Sequence, residues 1–368
     1  MQKSTGTVTW LSHRNFGTIL QAYALQKTIN SLGYDNKIID DKNIINSIPR
    51  KKFSILRLLR SIPVLYPKRA EFNSRNAEAI RRYDDFKSRY LAIDSRWCNR
   101  KELSERYDAF IAGSDQIWSP NVPFDDYYYL SFTDRPKIAY APSLGVSQYP
   151  EQTVAVVKPL LEKFSSLSVR EPQGAEILNS HFGLSVEVVC DPTLLLQKED
   201  WNTFVSDSSS DSDSPSPYAL CYFLTYNKKY IDMAREYCRK HSLQMKVLVV
   251  SHEFVGLSDD EVYTGPAGFI EYVSKANVIL TDSFHGTIFS LIFNKPFYTF
   301  RRFDDTSVLS QNSRVENLLS YVGLTDRLIG QTFEKLNDNE ITWDIVDKSL
   351  SQMRDKSLLY LKDSLAQL

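Results

Sequence analysis

The run Asp282-Ser283-Phe284-His285-Gly286-Thr287 places an acid, two hydroxyls and one of only five histidines side by side. It follows the apolar Asn277-Val278-Ile279-Leu280 and precedes the apolar Ile288-Phe289-Ser290-Leu291-Ile292-Phe293. Those flanks read as a buried strand and a buried helix. A histidine at their junction stands beyond the carboxyl end of a strand and beside the free N–H groups of a helix start, where open α/β sheets bind ligands. An imidazole that both gives and takes protons near neutrality makes His285 the expected proton-transfer group. The alternative is a ring that caps the helix or packs on Phe284.

Other polar side chains stand at comparable strand ends. Arg170 closes Ser166-Leu167-Ser168-Val169, where a guanidinium is costly unless it meets an anion. That anion is either a ligand gripped in bidentate fashion or one of the acids Glu171 and Asp191. Arg301 and Arg302 follow an apolar strand over 297–300; one is expected to hold an anion and the other to be a solvated charge. Arg314, after Asn312-Ser313, either holds an anion or caps its helix. Ser283 and Thr287 offer hydroxyl and N–H contacts to a phosphate, with capping as the competing role. Asp115 and Gln116 end Ala109-Phe110-Ile111-Ala112, a carboxylate and an amide able to orient hydroxyl groups of a ligand, with Asp115 as base for one of them or as a turn cap. Asn15, Gly17 and Thr18 open a helix and form a site for an anion or a sugar hydroxyl, or a plain cap. Asp191-Pro192-Thr193 reads as a structural turn.

These residues need a scaffold that gathers strand ends. A strand over 7–11, a turn over 13–17, a helix from Thr18 stopped at Gly33 and a strand over 37–40 make a unit of βαβ size. A polar helix spans 71–90, and strand patterns return near 109–112, 137–140, 166–169 and 186–189. The Ser/Asp-rich stretch 206–217 cannot bury apolar surface and reads as a connector. Alternation then restarts: strand 219–224, helix 228–239, strand 245–250, helix 269–276, strand 278–280 and the helix after His285. A last amphipathic stretch carries Val346, Leu350, Met353, Leu358, Leu361 and Leu365. The expected architecture is α/β, with one Rossmann-like domain over 1–205, a second over 218–335 and a helical segment over 336–368 that packs back.

In order along the chain, several stretches resemble the polysaccharide pyruvyl transferase family. They are Asn15-Phe16-Gly17-Thr18, Leu20-Gln21-Ala22-Tyr23-Ala24-Leu25-Gln26, Phe110-Ile111-Ala112-Gly113-Ser114-Asp115-Gln116-Ile117-Trp118, Ser168-Val169-Arg170-Glu171, Asp191-Pro192-Thr193-Leu194-Leu195-Leu196, Thr281 through Thr287, and Asn312-Ser313-Arg314. The loop Ala141-Pro142-Ser143-Leu144-Gly145 departs from the family, which usually has Ala and Phe at the positions of Pro142 and Leu144. The resemblance implies a GT-B-like fold with the two domains facing across a cleft, phosphoenolpyruvate as donor, and a pyruvate ketal bridging two hydroxyls of a surface-glycan sugar. On that footing His285 and Asp115 are the catalytic candidates. Arg170, Arg301, Arg314, Ser283 and Thr287 are donor-binding candidates; Asn15, Gly17, Thr18 and Gln116 are acceptor-binding ones. A nucleotide-sugar glycosyltransferase on the same fold and a non-catalytic glycan-binding protein are the rival readings.

Composition narrows the field. The 368 residues are 42% hydrophobic and 24% charged, as in soluble globular proteins. Lys+Arg 44 against Asp+Glu 45 leaves a net charge of -1, so no global field favours nucleic acid. The scattered Cys98, Cys190, Cys221 and Cys238 form no CxxC pair, which argues against zinc and against a disulfide framework and fits a reducing cytoplasm. No metal and no cofactor are expected, since there is no P-loop, metal-ligand spacing or nucleophile elbow. No apolar run approaches the roughly 20 residues that span a bilayer. The basic, apolar-studded stretch 50–69 has the character of an interfacial segment that would hold the protein peripherally at the inner membrane face, near a lipid-linked glycan acceptor, or is a solvated surface.

Overall fold

The computed structural model describes residues 2–11, 14–40, 67–96, 98–146, 148–205, 216–303, 311–330 and 339–368. Its first sheet contains β1 (Ser4–Val8), β2 (Asp35–Ile39), β3 (Ile93–Asp94), β4 (Ala109–Ala112) and β5 (Lys137–Ala139). All are parallel, in the order β3-β2-β1-β4-β5. A short parallel pair, β6 (Ser168–Val169) and β7 (Glu187–Val188), continues from it through a bridge between Ile138 and Ser166. The second sheet holds β8 (Tyr218–Tyr222), β9 (Gln244–Leu248), β10 (Asp260–Val262), β11 (Val278–Thr281), β12 (Phe297–Phe300) and β13 (Leu328–Ile329). It too is parallel, in the order β10-β9-β8-β11-β12-β13.

Both orders reverse beside the first strand of the sheet, at β1/β4 and at β8/β11. Loops that leave such a switch point diverge to opposite faces and open a crevice between them. The central strands are buried along their whole length, and this is why their sequences are short apolar runs without alternation.

Helix α1 (Phe16–Ser31) lies between the halves. Its residues from Phe16 through Gln26 are all buried, so it has no polar face to betray it as an ordinary surface helix. Phe16 stacks on Phe269 at 4.7 Å and on Tyr83 at 5.5 Å, and meets Tyr222 edge-on, joining the two sheets through one continuous core. The helix starts two residues earlier than the sequence suggests, with Asn15 capping the Thr18 N–H, and Gly33 follows its end at φ +93.

The single helix expected over 71–90 is two: α2 (Pro67–Arg75) and α3 (Ala77–Tyr90), separated at Asn76. The break lets each piece serve a different half. Phe72 of α2 packs with Tyr263 of the C-terminal half, whereas Tyr83 and Phe86 of α3 pack around α1. On one face of the second sheet packs α4 (Lys228–Lys240); on the other, together with α1, pack α5 (Pro266–Lys275), α6 (Phe284–Ile292) and α7 (Ser313–Tyr321). The terminal helix α8 (Trp343–Ala366) returns to the N-terminal half: Ser357 Oγ accepts the Cys190 N–H, Tyr360 donates to the Ala139 carbonyl, and Arg354 donates to the Leu194 carbonyl. All four cysteines are buried and unpaired. Most of the connector 206–217 and of the basic stretch 50–69 lies outside the described residues.

Candidate active site

Each switch point contributes two loops to a cavity of about 180 Å³ between the halves. From the first sheet come Trp10 and Asn15 after β1, Thr18 of α1, and Asp115 and Gln116 after β4. From the second come Leu224 after β8, Asp282 to His285 after β11, Arg301 and Arg302 after β12, and Gln311, Asn312 and Arg314 at the start of α7. Nine of the eleven candidates chosen from sequence stand on or against this cavity; Thr287 and Arg170 do not.

Ser283 caps α6, its Oγ accepting the Gly286 N–H, which puts His285 in the first helical turn. His285 is buried and its ring spans the gap between the halves. Nε2 lies 3.4 Å from Asp191 Oδ2, and Nδ1 faces the first turn of α1. The approach to α1 requires a glycine: a Cβ at Gly17 would fall 1.9 Å from Nδ1. Gly17 thus shapes the site by what it lacks.

Asp191, placed by sequence in a structural turn, does cap that turn through the Thr193 N–H and hydroxyl. It also meets Arg170 at 2.7 Å and faces His285. Burial opposes its ionisation, but the adjacent imidazole of His285, the Arg170 charge and the Thr193 hydroxyl hold its carboxyl well below the usual range. Its position immediately after β7 was the available signal.

Arg170 pairs with both of its rival acids at once, at 2.8 Å to Glu171 and 2.7 Å to Asp191, and lines a neighbouring apolar cavity instead. Its expected grip on the donor is therefore corrected: the buried charge is already met by two carboxylates. Thr287 is corrected as well, since its hydroxyl donates to the Ser283 carbonyl and meets Thr299, fully buried. Arg301 lines the cavity but its guanidinium pairs with Glu316. Arg302 meets no acid within ion-pair distance among the described residues; its Nε donates to the Thr225 hydroxyl.

Arg314 also lacks an acid at ion-pair distance among the described residues. Its Nη2 donates to Gln311 Oε1 at 2.6 Å. The Gln116 amide reaches across the cleft to 2.9 Å from Nη1 and 3.1 Å from Nη2, and its oxygen belongs at that end because a guanidinium only donates. Phe284 lies flat between two cations, 4.6 Å from Arg170 and 5.6 Å from Arg314. Burial, and then the like charge of Arg170, lower the Arg314 pKa to about 10. A cation so placed favours an incoming anion.

On the opposite wall Asp115 accepts the Thr18 hydroxyl at 2.6 Å and the Gln116 N–H at 2.8 Å, in a left-handed conformation at φ +67. Such strain persists only where surrounding contacts hold it. Asp282 anchors the β8 loop by accepting the Leu224 and Thr225 N–H groups at 2.6 and 3.0 Å. Burial raises its pKa to about 6 against those bonds and the Arg302 charge. The native chain therefore holds this proton more tightly than the unfolded chain, whose carboxyl titrates near about 3.9. Between that value and about 6 the group lowers stability as pH rises. Thermal melts of wild type and Asp282→Asn across this window should show the wild type losing ground steadily with pH; parallel curves would contradict the assignment.

Among the described residues no group of His, Cys, Asp and Glu is arranged to hold a metal ion, and no helix is long and apolar enough to cross a membrane.

Two parallel doubly wound sheets sharing a ligand cavity at their switch points define the GT-B-like class. A UDP-N-acetylglucosamine 2-epimerase assignment from Listeria monocytogenes is a structural neighbour with TM-score 0.50 and 8% identity, covering 97% of this chain and 91% of that one. The UDP-GlcNAc 2-epimerase of Methanocaldococcus jannaschii gives 0.48 at 11% identity over 96% and 93%. Arabidopsis thaliana UGT89C1 with UDP-L-rhamnose gives 0.49 at 11% over 98% and 98%. At these identities the likeness concerns the fold. No curated protein matches the chain. The model of the polysaccharide pyruvyl transferase family matches residues 15–304, and the chain belongs to that family.

Proposed function

We propose that this transferase uses phosphoenolpyruvate to form a pyruvate ketal on a sugar of a polysaccharide or glycan precursor, releasing phosphate. The observation that carries the reading is the convergence of His285, Asp115, Arg302 and Arg314 on one cavity from opposite sheets. Arg314, Arg302 and the N-terminus of α6 suit the donor's two anionic groups. Asn15, Thr18 and Gln116 face the acceptor side.

The chemistry balances with these groups alone. One sugar hydroxyl gives its proton to His285, which delivers it to the donor's methylene carbon. The adjacent carbon becomes cation-like and bonds the first sugar oxygen. The second hydroxyl, deprotonated by Asp115, displaces the phosphate, which leaves with that proton. Fixed charges in a cleft stabilise the cation-like centre without reorganising. No metal or cofactor enters this scheme.

On this reading the acceptor is met in the cytoplasm, as a lipid-linked intermediate at the inner membrane face, with 50–69 as the membrane contact. The test is incubation with phosphoenolpyruvate and a panel of glycosides, one of them prenyl-phosphate-linked in anionic vesicles, following phosphate and product mass together. Equimolar phosphate and ketal are expected, fastest on vesicles. A rise in melting temperature with a nucleotide sugar, and none with phosphoenolpyruvate, would overturn the donor assignment.

A further inference from the structure

The His285 ring is held by two contacts, a carboxylate at Nε2 and the backbone of α1 over its face, and both are supplied by the N-terminal half. Nε2 lies 3.4 Å from Asp191 Oδ2, a carboxylate whose side chain is wholly buried. Nε2 is itself buried and has no hydrogen-bond acceptor at bonding geometry, so the contact is electrostatic at this distance. A bare lone pair there would face carboxylate lone pairs; an N–H is favoured. On the other side the α1 backbone closes over the ring at Gly17, where a Cβ would fall 1.9 Å from Nδ1 and 2.3 Å from Cγ, so the ring is held in place by steric contact there. The carboxylate at Nε2 selects the tautomer.

We infer that Asp191 is the positioning residue of the site: it keeps the proton on Nε2 and leaves Nδ1 bare, so that His285 begins the reaction as a base at Nδ1. The inference rests on the proposed reaction for its consequence, though not for its geometry. His285 follows β11 in the second sheet, whereas Asp191 follows β7 and Gly17 belongs to α1. The imidazole is therefore aligned only when the two halves are together. Arg170 and Thr193 in turn fix Asp191, with the Thr193 N–H on Oδ1 at 3.0 Å and Arg170 Nη1 on Oδ2 at 2.7 Å.

That fixing makes Asp191→Asn informative. The carboxylate charge beside Nε2 is removed, while Arg170 on Oδ2 and the Thr193 N–H on Oδ1 compete for the single amide oxygen. The preference for the Nε2–H tautomer should weaken. The corresponding change in a serine-protease triad lowers kcat about 10⁴-fold by this route. Nitrogen NMR of protein labelled at histidine, with His285→Gln to identify the signal, reads the tautomer directly. The expected result is an Nε2–H tautomer in wild type, a smaller Nε2–H fraction in Asp191→Asn, and a fall of about 10² to 10⁴ in kcat with little change in the donor KM. Asp191→Asn also leaves a donor facing a donor at one of its two positions, and where it fails to fold the wild-type spectrum alone decides. Gly17→Ala gives a second approach, pushing on the ring at Nδ1 without touching Asp191, and should likewise disturb the tautomer. An Nδ1–H tautomer in wild type would overturn the inference. The predicted tautomer together with no turnover of phosphoenolpyruvate would overturn the proposed reaction instead.

Discussion

His285→Gln should lower turnover by about 10² to 10⁴, the range general acid–base groups contribute, while leaving the fold and donor binding largely intact. Glutamine fills part of the space of the ring and keeps polar atoms, but it neither accepts nor returns a proton near neutrality. The surroundings indicate that the loss is chemical. His285 supports no part of the helix start, because Ser283 and the Thr287 N–H hold that turn. Its neighbours Asp191 and Arg170 keep each other. The measurement is kcat and KM for phosphoenolpyruvate beside a thermal melt. A variant with near wild-type kcat would end the assignment of His285 to proton transfer, and with it the enzymatic mechanism.

Much of the scaffold was legible because parallel strands buried on both faces must be written in apolar residues and must end in polar ones. Ala109–Ala112 and Lys137–Ala139 were found on that pattern, as were most strands and helices after residue 218, though the short strands Asp260–Val262 and Leu328–Ile329 were not. The signal failed where tertiary packing overrode the local pattern. The continuous polarity of 71–90 gives no hint that the chain divides at Asn76, because the division serves two different partners. Helix α1 was recognisable as a helix, but its burial on every side depends on a second half that lies far along the chain.

The site was legible for a related reason and to a lesser depth. Polar residues at strand ends were the right places to look, and the switch points of two sheets bring most of them together. Sequence cannot say how a strand-end charge will be spent. Arg170, Glu171 and Asp191 were all visible, yet only the fold decides that the arginine takes both acids and that Asp191 still faces His285. Arg301 and Arg302 are adjacent and chemically alike; Glu316, one turn into another helix, occupies the first and not the second. Thr287 was misjudged because a helical threonine returns its hydroxyl to the preceding turn.

Arg314 should give the other large effect, with opposite signs in two measurements. Its guanidinium is surrounded by Gln311, Gln116, the Phe284 ring and, beyond that ring, the like-charged Arg170. Amide oxygens satisfy its N–H groups, Glu171 and Asp115 act on it only from beyond ion-pair distance, and burial with Arg170 lowers its pKa to about 10. Removing a desolvated cation that has no acid at ion-pair distance relieves the cost of burying it when an apolar side chain of similar length takes its place. Arg314→Met should therefore melt at the wild-type temperature or above. A donor carrying carboxylate and phosphate supplies the charge that the folded chain withholds. Truncating one partner of a buried charge pair costs roughly 2 to 5 kcal/mol, so phosphoenolpyruvate should bind about 30-fold to more than 10³-fold more weakly. Calorimetric titration beside a thermal melt separates the two. Undiminished donor binding would show that Arg314 serves only to bridge the cleft through Gln116, and a collapsed melting temperature would show that its amide contacts outweigh the cost of burying its charge.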